Sequence, residues 1–144
     1  MTNDNPTRGQ IERTIGQRLQ GLYKERTGQR PEKVTCQFFD EKLAIVIEQT
    51  TTPAERSLLD AGRQEIAQQF RAELESTIKA EMSRLIEEIG LSPVIQLLGE
   101  TDLESGFSGF IAILKQIPNV RDPETIPKIK RRNIEEESNR EAVQ

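Results

Sequence analysis

The hydrophobic period of this chain changes three times along its length, and that pattern leaves few folds open. Ile11, Ile15, Leu19 and Leu22 recur at spacings of four, four and three, the stripe of an amphipathic helix. From Lys33 to Phe39 the period drops to two: Val34, Cys36 and Phe38 alternate with Thr35, Gln37 and Phe39. Leu43, Ile45 and Ile47 alternate in the same way with Ala44 and Val46. Helical spacing returns through Leu58, Leu59, Ile66, Phe70, Leu74, Ile78, Met82, Leu85, Ile86 and Ile89. Two further strand-like runs follow, Val94 to Leu98 and Phe107 to Leu114. The predicted order is α-β-β-α-β-β.

Local signals agree with these boundaries. Thr7 and Gln10 form a capping box, each able to bond the other's backbone amide, and Thr52 and Glu55 repeat it with Pro53 at the first helical position. Gly28 and Pro31 end the first helix, and Gly90 is the expected cap of the second. A helix from Thr52 to Ile89 would be longer than usual, so a break is expected near Gly62. The short Asp40-Glu41-Lys42 connection predicts a hairpin, and Gly109 suggests a bulge or close backbone approach in the last strand.

Together these define an α+β fold: two layers, a four-stranded mainly antiparallel sheet, and both helices on one face. The far face is left open. With Val34, Phe38 and Ile45 inward, Phe39 and Val46 point outward, together with Ile95 or Leu97. An open apolar face and an overhanging helix stripe predict a homodimer through one or the other.

At 144 residues the chain has the length of one domain. Hydrophobic residues are 34% and charged ones 31%, a polar balance implying that some segment lies outside the core. That segment is read as a charged flexible tail, 118–144, following a domain at 7–117. Pro118, Pro123 and Pro127 recur there, then the basic run Lys128 to Arg132 and the acidic Glu135 to Glu137.

The net charge of -4 supplies no field for nucleic acid, so no nucleic-acid partner is expected. No apolar run approaches the ~20 residues of a membrane span, and the opening residues resemble no signal peptide, so the expectation is a cytoplasmic protein without direct membrane insertion. There is no histidine and one cysteine, which removes imidazole catalysis and the usual zinc sets. Cys36, on the inward side of its strand, reads as a small core residue and not a nucleophile. The chain is therefore read as non-catalytic, with no cofactor and no metal. Its candidate binding residues are polar groups at element ends: Arg8, Arg30, Arg63 and Asp102. Guanidinium forks suit an anion or a partner's carboxylate.

Several of these signals occur together in one family. Thr7-Arg8-Gly9-Gln10 with Glu12, the Gly28 to Pro31 loop, Thr52-Pro53-Ala54-Glu55, Gly62-Arg63 and Thr101-Asp102 resemble the bacterial MpsC family over about residues 7–115. The resemblance implies an accessory or regulatory protein associated with a sodium-translocating or inorganic-carbon transport system, working through protein contacts with a membrane transport-system partner. It carries over no catalytic residue. The alternative reading is a sensor of a small anion or small molecule.

Overall fold

In the computed structural model, which describes residues 4–129, Thr7 caps helix α1 (Arg8–Thr27) through the expected reciprocal box with Gln10. Gly28 closes the helix in the left-handed region, with φ 77 and its amide on the Lys24 carbonyl. Strands β1 (Lys33–Phe39) and β2 (Lys42–Glu48) follow as an antiparallel hairpin turning on Asp40 and Glu41. The second capping box, Thr52 with Glu55, starts α2 (Pro53–Asp60). The expected break comes at Ala61 to Arg63, and α3 (Gln64–Gly90) runs on from it, so there are three helices where two were counted. β3 (Val94–Asp102) and β4 (Phe107–Leu114) complete a sheet of order β1-β2-β4-β3 in which every pairing is antiparallel.

α1 lies over β1, α3 lies over β3, and the two helices pack on each other. The core between the layers holds Ile15, Leu19 and Tyr23 from α1, Ile78, Met82 and Ile86 from α3, and Phe38, Ile45, Ile47 and Phe110 from the sheet. At 27 residues α3 is about 40 Å long, against about 25–30 Å for the longest strand. Its first turns therefore overhang the end of the sheet where β1 and β4 begin. Ile66 and Phe70 are left about half exposed there, while Ala67 and Arg71 take the inner positions.

Several expectations need correction. Leu91, not Gly90, adopts the left-handed cap of α3, at φ 54. β3 continues past Leu98 to Asp102, and its irregularity lies between Val94 and Gln96, not at Gly109. Of the two β3 residues expected outward, Ile95 is so, at 65% exposed, while the shift turns Leu97 inward and Leu98 outward. The close backbone approach belongs to Gly99, at φ 150. A Cβ there would stand 2.2 Å from the Gly109 carbonyl oxygen and 2.7 Å from the Phe110 Cα. Backbone atoms cannot give way as a side chain can. Gly99→Ala is expected to cost about 1–3 kcal/mol, read from a urea melt.

The tail boundary also moves. Val120 and Ile126 are buried in the core, so residues 118–129 pack against the domain that was expected to end at 117. The prolines do not free this segment, because its backbone finds partners elsewhere: the Asp40 amide donates to the Pro127 carbonyl at 2.7 Å, Asn119 to Gly90, and Arg121 to Pro6. Asp122 Oδ1 accepts from the Arg8 amide at 2.8 Å, adding a second acceptor at the start of α1. The remainder of the expected tail, 130–144, lies outside the described residues.

Candidate functional site

The four polar residues expected to bind do not form one site. Arg8 pairs with Glu12 at 2.8 Å, and Glu12 in turn accepts from the Phe38 amide, so this arginine fastens α1 to β1. Arg30 lies beyond the other end of α1, about 30 Å away by helix length, and bonds Gln20 at 3.2 Å. Arg63 is exposed at the α2–α3 break. Asp102 ends β3, where its carbonyl accepts from Gly106. No hydrogen bond or ion pair joins any two of them among the described residues. Two carboxylates outside these four are also drawn into the fold: Glu87 accepts from the Val94 amide at 2.8 Å, and Asp40 is 8% exposed.

A different arginine holds the polar centre of the molecule. Arg71, 3% exposed, donates from Nε to Glu55 Oε2 at 2.7 Å and from Nη2 to Glu55 Oε1 at 2.5 Å. The same Nη2 reaches the Thr50 carbonyl at 2.7 Å. One side chain of α3 thereby grips α2 and the end of β2. Burial pushes the Glu55 carboxyl up, but the hydrogen bonds from Arg71 and Thr52 outweigh it and hold the group below the usual carboxylate range. Beside this pair Thr101 donates to Glu75, Thr101 and Ser108 share a short contact, and Ser108 meets Thr50 at 2.9 Å. Each hydroxyl has one proton. Once Thr101 gives its proton to Glu75, Ser108 donates to Thr101, and Thr50 divides its one proton between Ser108 and the Gly106 carbonyl at 3.2 Å. Burial, and then the nearby Glu75 charge, raise the pKa of the Tyr23 phenol, which stays neutral within the cluster.

Sequence reasoning assigned Glu55 to its cap alone and did not single out Arg71. The available signal was a charged residue at the helical spacing of Ala67 and Leu74, on the face that α3 buries.

A pocket of about 620 Å³ adjoins this cluster, lined by Arg71, Glu75, Glu100, Asp102 and Phe107 among others. The one guanidinium on its wall is already neutralised by Glu55 and has the buried Glu75 carboxylate near it, a balance that repels anions. Cys36 packs partly buried against the core, its thiol pushed up to about 12 by burial and by Glu12, so almost no thiolate is present at neutral pH. Among the described residues no group of three or more Cys, Asp or Glu is placed to hold a metal ion. No helix among them is long and apolar enough to cross a membrane.

Among the described residues nothing covers the outer face of the sheet. Val46 is 44% exposed, Leu98 47%, Phe107 50% and Ile95 65%, with Phe39, Ile111 and Ile113 half-buried between them. Polar residues bound it on both edge strands: Lys33, Thr35 and Gln37 on β1, and Gln96, Glu100 and Asp102 on β3. An apolar centre inside a polar margin is how protein interfaces are built.

Fold and surface thus define a two-layer α+β domain whose sheet is open on one side. The chain belongs to the MpsC family, described as "Na+-translocating membrane potential-generating system (MpsC)", which matches residues 7–116. No curated protein matches it. No solved structure does either.

Proposed function

We propose that this protein is a non-catalytic, cytoplasmic accessory or regulatory component of a sodium-translocating, membrane-potential-generating system, and that it acts through protein contacts. The observation that carries this reading is the unequal treatment of polar and apolar groups. The most deeply buried charges, Arg71 and Glu55, are paired with each other inside the fold, though Arg71 Nη1 has no partner among the described residues, while large apolar side chains stand in solvent on the sheet face and on the α3 overhang. The family description supplies the system. The overhang, with Ile66 and Phe70 one helical turn apart, is the surface assigned to the membrane partner.

Deletion of the gene in the native host, complemented with wild type or with an Ile66→Lys, Phe70→Lys double variant, tests this. Membrane potential would be followed with a voltage-sensitive dye at low and high sodium, alongside co-purification of transport-system proteins from solubilised membranes. The wild type should restore the sodium-dependent potential and co-purify a transport protein, and the double variant should do neither. Full complementation by the double variant would overturn the assignment of the overhang. Substrate turnover by the repurified protein would overturn the non-catalytic reading.

A further inference from the structure

We infer that the open sheet face is covered by a second copy of this chain, related by a two-fold axis lying in the interface and running parallel to β2 and β4. The inference rests on the reading that protein contacts are the task, and it names the partner of this one face.

The cross-strand register supplies the shape argument. On the outer face Val46 stands beside Gly109, and Ala44 stands beside Ile111. These two central levels each carry one bulky and one small residue, while Lys42 and Ile113 make the level beyond them bulky on both strands. An axis parallel to the strands lays β2 of one copy over β4 of the other. Val46 then falls on the second copy's Gly109, and Ile111 on the second copy's Ala44, each contact occurring twice by symmetry. Gly109 has open space around its Cα, which a partner's side chain can fill.

Charge selects the same axis. Lys33 on β1 pairs with Glu48, and Asp102 on β3 pairs with Phe107. The neighbouring pair Ile47 and Ser108 places all four at one level of the sheet. Exchanging the edges brings Lys33 over Asp102 of the second copy, and Thr35 over its Glu100. The other in-plane axis, perpendicular to the strands, would lay β3 on β3 and gather two Glu100 and two Asp102 carboxylates along one seam, where like charges repel. Phe39, with Lys42 stacked 5.8 Å from its ring centre, closes the other end of the face.

Four strands about 4.8 Å apart and seven residues long give a footprint of about 450 Å² per copy, small for a stable interface. A dissociation constant in the micromolar range is therefore expected, and the purified full chain should be followed from about 1 to 500 µM by sedimentation velocity. Val46→Lys and Leu98→Lys should each give a monomer throughout, with unchanged circular dichroism. Lys33→Glu and Asp102→Lys should each weaken the dimer at least about tenfold, and the double exchange should return it to within about threefold of wild type. A wild type that stays monomeric at the highest concentration, or a dimer indifferent to Val46→Lys and Leu98→Lys, would overturn the inference. A double exchange no tighter than the single variants would overturn the axis. A monomer whose gene still complements the deletion defeats this inference alone and leaves the accessory role standing.

Discussion

Arg71→Ala is expected to cost about 3–5 kcal/mol, because it leaves a carboxylate with no exposure facing a protein interior and no cation. The Thr50 carbonyl loses its donor in the same step. For a chain of this size the loss corresponds to about 10–20 °C in Tm, readable by calorimetry. Its pH dependence identifies the cause. In the wild type the Glu55 pKa is lowered, so its contribution is complete above the unfolded carboxylate pKa and is lost as pH falls through the folded value. Without Arg71, burial raises that pKa, and acid relieves the buried charge by protonating it. The gap between wild type and Arg71→Ala should therefore narrow between pH 7 and about pH 4. A double variant, Arg71→Met with Glu55→Gln, keeps an oxygen acceptor for the Thr52 amide and removes both charges, and should lose less than Arg71→Ala. Equal losses at both pH values would reject the buried-charge account.

Emptying the pocket filled by the C-terminal segment should cost nearly as much. Ile126 is 2% exposed and Val120 5%, both in the core cluster. Ile126→Ala is expected to destabilise by about 2–4 kcal/mol and the Val120→Ala, Ile126→Ala pair by about 3–6 kcal/mol, measured by urea unfolding. Asp122→Ala, which removes the acceptor for the Arg8 amide, should cost about 1 kcal/mol. If the double variant unfolds at the wild-type urea midpoint, residues 118–129 contribute nothing to the fold and the domain ends near Ile117 after all.

Much of the architecture was legible because it is written in periodicity and caps, which are local. Both capping boxes, the hairpin between Phe39 and Lys42, the break beside Gly62 and the open face at Val46 are properties of a few adjacent residues. What escaped was non-local. Proline and charge counts around 118–129 suggested a tail, but composition does not reveal that Asp40 offers an amide to Pro127 across the molecule. The strand phase after Val94 was misjudged because a bulge moves every later side chain to the opposite face. The arginines chosen for binding were chosen by their place at element ends. The sheet then set Arg8 at the opposite end from Arg30 and Asp102, while Arg71, inside a helix and hidden among apolar neighbours, became the polar hub.

Glu55 serves two masters: its Oε1 receives the Thr52 amide that begins α2, and the same oxygen receives Arg71 from α3. An eight-residue helix has little stability of its own and would ordinarily fray many times a second. Here fraying would strip a buried guanidinium of its counter-charge, so the cheapest motion of the shortest helix becomes one of the dearest. Amide hydrogens in α2 should exchange only when the whole domain opens. The elbow between α2 and α3, just ahead of Ile66 and Phe70, is then a rigid bracket, and the binding proposed for that surface would need no prior ordering.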